Sequence, residues 1–504
     1  MVVAFEEEFD VVVAGYGFAG AVAAIEASDA GAKVLLIEKM PDPGGISICA
    51  GGGVRIARNA DEAFAYLQAT NAGTTPDEIL HVFADALLTL ADYIRGLARA
   101  AGAEPIVRDR EANYRLPGGH TFQFIEIDSI PGFDPARTYP HARARNTGPN
   151  LFKVLDDNVR QRPIDVRLST AASRLITDAN GAVTGLFVES AGKRRAVKAR
   201  HGIVLACGGF EANVEMQRQY WQFNPVLNAC STSNTGDGIR MAQAVGADLW
   251  HMWHFHGSYG FRHPDPDSPI GIRMKRLPDW TPGGEVRDVK MSWILVSKAG
   301  RRFMNEYAPY VQDTGHRPLD VFDPVTQTYP YIPAYMIVDE EGRKMYPLGN
   351  PVYNDRTAPR YEWSRDNLRE VELGILKKAQ SVQELAKLLG AGVEVVKDTL
   401  DRWNAQCESG KADEFGRPAI TMVPVRTPPF YVGEVWPMVS NTQGGPRHDA
   451  RQRVLTAFGE PIPHLYEAGE LGSIWGHLYM SGGNLAECFI TGRIAGREAA
   501  AATS

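Results

Sequence analysis

The stretch Asp10–Lys39, DVVVAGYGFAGAVAAIEASDAGAKVLLIEK, leaves little freedom in what this chain can fold into. Asp10 to Ala14 is a short apolar run suited to a buried parallel strand, and Lys33 to Ile37 is a second one ending at Glu38. Between them Gly15, Gly17 and Gly20 form a G-x-G-x-x-G pattern that opens a small-residue helix through Ala21, Ala23, Ala24 and Ala27. In this pattern the first glycine allows a tight turn, the second lets a pyrophosphate approach the backbone, and the third lets helix and strand pack closely. The free N–H groups at the helix start face the phosphates. Glu38 stands where an acid accepts hydrogen bonds from an adenosine ribose. Strand, loop, helix, strand and acid in this order predict a dinucleotide site on a parallel α/β sheet.

The rest of the chain must complete that sheet. Its 504 residues allow two or three domains, and 44% hydrophobic with 22% charged residues is an ordinary globular balance. A net charge of −7 argues against nucleic acid as a partner. No apolar run has the length of a membrane span. The opening MVVAFEEEFD lacks the basic and apolar regions of a signal peptide, so a cytoplasmic location is expected. Cys49, Cys207, Cys230, Cys407 and Cys488 are scattered, with no C-x-x-C spacing, and predict buried thiols with neither a metal site nor a disulfide framework.

Further along, Pro41 to Gly53 is a second glycine-dense loop with Ile46, Ile48, Cys49 and Ala50 interleaved, which suggests backbone lying against a ligand. Thr75 to Ala101 reads as a helix opened by a Thr75/Glu78 capping box. Residues 103 to 147 are irregular, and Gly148 to Val159 is helical. Val166 to Ser169, Ser173 to Thr177, Val183 to Glu189 and Arg194 to Lys198 read as short strands, with a hairpin turn at Asn180-Gly181. Gly202 to Ala206 returns to the parallel sheet and ends in Cys207-Gly208-Gly209. From Trp250 to about residue 362 the chain is proline-rich and aromatic, with Trp250, Trp253, Phe255, Tyr259, Phe261, Trp280 and Trp293. Such residues more often build a core than a cofactor site. Ser381 to Gly410 reads as a helical pair, and Ile462 to Ala502 as strand, glycine loop and helix. The expected organisation is a nucleotide domain over residues 1–250, a capping domain over 251–441, and completion of the nucleotide domain by 442–504.

Four local patterns and a tail then combine: the opening unit, GGISICAGGG (Gly44 to Gly53), NTGDGIRMAQAVGADL (Asn234 to Leu249), GRRFMNE (Gly300 to Glu306) and PIPHLYEAGELGSIWGHLYMSGGNLAECFITGRIAG (Pro461 to Gly496). Together they resemble the fumarate reductase and 3-ketosteroid dehydrogenase superfamily of FAD enzymes. The resemblance implies a Rossmann-type FAD domain interrupted by an α+β capping domain, with the flavin between them. It places Gly15, Gly17, Phe18, Ala19 and Gly20 at the diphosphate, and Glu38 with Lys39 at the adenosine end. Gly45, Ser47, Gly51, Gly52 and Gly53 fall on the flavin side, Gly208, Gly209 and Asp237 beside the cofactor, and Glu470 at the ribityl chain. Asn484, Leu485 and Ala486 open the last helix, whose positive end faces the flavin N1/O2 edge.

Departures from the pattern bear on the substrate. The histidine that holds FAD covalently in succinate dehydrogenases is replaced by Ile46, so non-covalent FAD is expected. Two arginines of the fumarate reductases are replaced by Tyr310 and Met480, and a histidine pair by Ser440-Asn441. Neutral side chains cannot supply the bidentate, charge-assisted bonds that a dicarboxylate needs. Tyr310 and Tyr479 instead match the two tyrosines of the ketosteroid branch. That branch removes hydrogen from the bond beside a ketone: the carbonyl accepts hydrogen bonds, a base takes the α proton, and the β hydride passes to flavin N5. The resemblance casts Tyr479 and the Gly483 N–H as carbonyl donors, Tyr310 as base and Ser481 as relay or donor. His254 and His256 sit near a substrate-facing histidine of the fumarate reductases. The aromatic capping segment suggests a bulky apolar ketone as substrate. Both tyrosines also read as packing residues, and two further readings stay open: an enone or enoate reductase, and an electron-transfer subunit without an organic substrate. The electron donor or acceptor is unidentified.

Overall fold

The computed structural model describes residues 3–144, 147–277, 290–307 and 310–502. Its first sheet runs in the order Arg453–Leu455, Pro461–Glu467, Lys193–Leu205, Glu7–Ala14, Val34–Ile37, Ile164–Arg167. All neighbours from Pro461–Glu467 to Ile164–Arg167 are parallel. Val11 to Val13 and Val34 to Leu36 are at most 1% exposed, which explains why these strands read as unbroken apolar runs. The two ends of the chain therefore share one sheet, with helices Phe18–Asp29 and Gly483–Ala501 packed together against it. A Cβ on Gly492 would stand 2.7 Å from the Ala19 carbonyl oxygen, and one on Gly496 2.4 Å from that of Ala23. The small residues on both helices permit that approach.

A second, largely antiparallel sheet runs Ile294–Val296, Ala334–Val338, Phe430–Thr442, Phe255–Phe261, Ile272–Met274, Gly349–Asn350. Its long central strand leads from the capping sheet back to the sequence that rejoins the parallel one. A third sheet of three strands, Val54–Ala57, Phe122–Glu126 and Ile106–Asp109, closes the side next to the second glycine loop. It contains part of the 103–147 region whose pattern predicts nothing regular, because its strands are short and exposed on one face.

Several local expectations are revised. Arg194 to Lys198 and Gly202 to Ala206 belong to one strand, Lys193–Leu205, which pairs antiparallel with Val183–Ser190 and then parallel with Glu7–Ala14. Ile164–Arg167 is an edge strand of the parallel sheet, outside the hairpin that Gly181, at φ 85°, turns. Thr75 does not cap the helix Asp77–Ala100: its hydroxyl donates to the Ile474 carbonyl at 3.0 Å, tying the helix start to the tail loop. Ser381 does cap its helix, accepting from the Glu384 N–H at 3.2 Å.

Of the aromatic run, Phe255, Tyr259, Phe261 and Trp293 are core, whereas Trp253 is 52% exposed. Trp280 lies outside the described residues. No helix among the described residues is long and apolar enough to cross a membrane.

Candidate functional site

Two cavities meet where the parallel and capping sheets face each other. The first, about 730 Å³, is lined by the Gly15–Ala19 turn, Glu38, Lys39, Gly45, Ser47, Gly208, Asp237 and Glu470. Backbone geometry makes it. Gly15 sits at φ +109°, and a Cβ there would be 2.2 Å from the Ala206 carbonyl oxygen; one on Gly20 would be 1.8 Å from that of Gly15. Only glycine fits at either position, and the helix therefore starts directly over the cavity with Gly17 and Phe18 at its lip. The Phe18 N–H points at the Ser47 hydroxyl, 3.4 Å away, so the two glycine loops converge on one anion-binding point.

Glu38 ends its strand inside this cavity and accepts from the Tyr16 N–H at 2.9 Å and the Met40 N–H at 2.8 Å. Lys39 and Asp237, both cavity-lining, bind each other at 2.6 Å with Thr235 alongside. Gly209 and Gly52 stand behind the wall: a Cβ would strike Thr442 Oγ1 at 1.8 Å from the one, and Thr147 Oγ1 at 2.3 Å from the other. Ala486 is fully buried behind Leu485, which does reach the second cavity.

Glu470 borders both cavities. Its carboxyl accepts from the Thr442 N–H at 2.8 Å and from Asn234 Nδ2 at 3.1 Å, and the same Nδ2 donates to Glu211 at 2.9 Å. Burial pushes Glu470 up to about 7. Glu211, fully buried, is pushed higher by burial and by Glu470, so Glu211 keeps its proton and Glu470 is the partner that ionises. Glu211 carries no sequence signal beyond its place after Gly208-Gly209.

The second cavity, about 1150 Å³, shares Ile46, Ser47, Glu470 and Cys488 with the first. Tyr310, Tyr479, His256, Ser481 and Gly53 line it. The Tyr310 and Tyr479 ring centres are 6.3 Å apart, and His256 lies 5.8 Å from the first and 4.1 Å from the second. Three distant segments deliver these rings. Tyr310 follows GRRFMNE, whose Arg302 and Glu306 are buried and ion-paired at 2.7 Å, with Arg417 on Glu306 at 3.1 Å. That motif is therefore a structural anchor for the segment leading to Tyr310. Tyr479 sits in the tail loop before the last helix, and His256 lies on the capping strand Phe255–Phe261.

Behind them lies Asp313, completely buried. It accepts from the Tyr114 hydroxyl at 2.5 Å and the Tyr479 N–H at 3.0 Å, with His256 Nδ1 at 3.6 Å. Burial alone would raise this carboxyl, but the His256 ring beside it and the Arg317 charge outweigh it and hold it at about 2. Tyr114 packs edge-on to Tyr310 at 6.2 Å. Neither Asp313 nor Tyr114 was legible: Asp313 lies three residues past Tyr310 in an irregular segment, and Tyr114 lies in the unassigned 103–147 region. His254 is buried away from the cavity, and burial holds it well below the usual histidine range.

Two expectations fail here. The Gly483 N–H donates to the Met480 carbonyl at 2.8 Å, closing the turn that starts the last helix, and is not free for a substrate carbonyl. The Gly482 N–H instead donates to the Tyr479 hydroxyl at 3.0 Å. Of the aromatic capping residues that are described, Trp250, Trp253, Phe255, Tyr259, Phe261 and Trp293, none lines this cavity either; its walls carry Arg110, Arg273 and Arg276.

The chain belongs to the family described as FAD binding domain, whose model matches residues 10–485. It is an FAD-dependent oxidoreductase of the fumarate reductase and ketosteroid dehydrogenase group. It is 27% identical to the 3-oxosteroid 1-dehydrogenase of Mycolicibacterium smegmatis, over 98% of each chain. It is 28% identical to the cytochrome-type fumarate reductase of Shewanella frigidimarina, over 97% of this chain and 77% of that one. In fold it is similar to the 3-ketosteroid Δ1-dehydrogenase of Sterolibacterium denitrificans solved with 1,4-androstadiene-3,17-dione, with TM-score 0.79, 23% identity, and 98% and 100% of the two chains covered.

The residues fit FAD. The cavities form one trough from Glu38 to Tyr479, lined among others by Gly15, Gly208 and Gly482, which admit no Cβ, and where the last helix starts, Asn484 Oδ1 on its wall and Gln443 Nε2 behind it are buried without partners. Buried polar atoms of that kind are usually bonded, so they mark where a polar cofactor docks. The described residues hold no cluster of metal-ligating side chains.

Proposed function

We propose that this enzyme desaturates the CH–CH bond beside a ketone. The observation that carries the reading is the convergence of Tyr310 and Tyr479 in the second cavity, 6.3 Å apart and with His256 beside both. The Tyr479 hydroxyl already accepts from the Gly482 N–H, which leaves its own proton to donate to a substrate carbonyl. Burial pushes that phenol well above its ordinary range, so Tyr479 stays a protonated donor as charge builds on the carbonyl oxygen. Tyr310 takes the α proton. A tyrosine with a reference pKa of about 10 is a weak base near neutrality and needs an outlet for its own proton. That outlet is solvent in the cavity that Tyr310 lines, while Tyr114, its O–H committed to Asp313, packs edge-on against the Tyr310 ring at 6.2 Å and holds it in place. FAD, when bound, supplies the two-electron acceptor for the hydrogen on the β carbon.

FAD is held without a covalent bond, since Ile46 offers no nucleophile; release of flavin into the supernatant on acid precipitation checks this. Residues 1–250 and 442–504 form the cofactor domain in this reading, and 251–441 the cap. Electrons leave to an external acceptor.

Anaerobic titration of the oxidised holoenzyme with saturated cyclic ketones tests the proposal. Bleaching of the flavin with formation of the α,β-unsaturated ketone is the expected result. No bleaching by any ketone, with reoxidation of reduced enzyme by an enoate, would assign the chain to the reductases instead; no response to either would leave an electron carrier.

A further inference from the structure

We propose that the second cavity takes a ketone that also carries an anionic group, a carboxylate or its equivalent, and that Arg273 is the residue that binds it. The inference rests on the ketone reading above and names the substrate class that reading leaves open.

Arg273 lies on the capping strand Ile272–Met274, between strands Phe255–Phe261 and Gly349–Asn350. Ile272 and Met274 turn into the core at 1% and 7% exposure, so alternation turns Arg273 to the opposite face, where it lines the cavity with Tyr310 and Tyr479. Among the described residues its guanidinium has neither a hydrogen bond nor an ion pair, and its Nε is buried without a partner. Among the described residues the wall carries two carboxylates, Glu470 and Glu126, and Glu126 is bound to Arg108 at 2.8 Å.

A half-buried cation with its Nε out of contact with water and no counter-charge is an unfavourable arrangement in a folded protein. Desolvation pulls the Arg273 guanidinium below the usual arginine range, in agreement with the geometry. Its ionisable neighbours are the Cys230 and Cys49 thiols, the Tyr310 phenol and the like-charged Arg276, none of them a carboxylate. An arginine fork of this kind binds a carboxylate through two parallel N–H donors.

Position adds a second argument. Arg273 and Arg276 line both this cavity and a neighbouring one of about 550 Å³, whose walls include Tyr259, Trp293 and Met438. A substrate reaching from Tyr479 toward that second space passes Arg273. An uncharged steroid would leave the guanidinium dehydrated and unpaired. A keto acid would not.

The test compares two pairs of ligands on the holoenzyme: 3-(4-oxocyclohexyl)propanoate with its methyl ester, and 3-oxo-4-androstene-17β-carboxylate with its methyl ester. Affinity is read from the flavin difference spectrum and reaction from anaerobic bleaching, so anion recognition and ketone chemistry can fail separately. In one pair at least, the acid is expected to bind ten- to a hundredfold more tightly than its ester. Arg273→Gln removes the difference while ester affinity and flavin content stay unchanged, and Arg273→Lys restores part of it. Equal binding of acid and ester, or an acid preference that survives in Arg273→Gln, overturns the proposal whether or not the flavin bleaches. Acid-selective binding without bleaching upholds the anion site and removes the dehydrogenase reading alone.

Discussion

The two cavities are built by opposite means. The first is made of backbone: tight glycine turns, two helix starts and a few carboxylates at strand ends. A single bond vector or a missing Cβ does the recognition, so its determinants lie in short contiguous runs. The second is made of side chains carried by separate segments, His256 and Arg273 on the cap, Tyr310 after GRRFMNE and Tyr479 in the tail, with Asp313 and Tyr114 behind them. In the reading proposed here, cofactor binding tolerates little variation in the first, and a handful of positions in the second decide the substrate. The contrast predicts that lesions in the two places separate cleanly.

The largest effect belongs to Gly20→Ala. Its methyl group would meet the Gly15 carbonyl oxygen at 1.8 Å, and overpacking of that severity costs about 3 kcal/mol or more. Purified protein is expected to carry almost no flavin and to melt early in a thermal scan. Normal flavin content would break the claim that this turn is backbone-limited.

Glu470 sits on the boundary and gives a graded result. Its folded pKa of about 7 lies above its ordinary value of 4.5, so the cofactor-free protein binds more protons folded than unfolded at this site. Its contribution to stability therefore falls as pH rises from about 4.5 to about 7 and is constant above. Hydroxyl groups of a bound ribityl chain favour the ionised form, so FAD affinity should rise about tenfold between pH 6 and pH 8. Titration of cofactor-free Glu470→Gln across the same range should show a flat profile; an unchanged slope would move the titrating group elsewhere.

The smallest effect is expected at Trp253. It is 52% exposed and belongs to neither cavity, and exposed substitutions usually stay within about 0.5 kcal/mol. Trp253→Ala should leave turnover and melting temperature where they were. A large loss of activity would return the aromatic segment to the substrate site.

The same contrast explains what could be read from the sequence. The Asp10–Lys39 unit, the glycine loop at Gly44–Gly53 and the tail announce themselves because strand, turn and helix are local and their glycines are required by φ or close approach. Glu38 and Glu470 are found at the ends of such runs. Tyr310 and Tyr479 follow from resemblance, as do His256 and Ser481 beside them, whereas Asp313 and Tyr114 carry no sequence signal. Asp313 and Tyr114 are 199 residues apart in the chain, and only the fold joins them. Gly483 was misread because its N–H closes a turn onto Met480. In the cap, Phe255 and Phe261 fill a core and Tyr259 and Trp293 border the neighbouring cavity, while the charge that faces the cavity of Tyr310 sits in an unremarkable G-I-R-M stretch.

The central claim is that Tyr310 moves the proton and takes no part in holding the cofactor. Stopped-flow measurement of flavin reduction by a saturated ketone, in wild type and in Tyr310→Phe, tests it most directly. Loss of a general base predicts a reduction rate about 10²- to 10⁴-fold slower at saturating ketone, with full flavin content and unchanged thermal stability. A rate within a few-fold of wild type would contradict the assignment and leave Tyr310 as a packing residue.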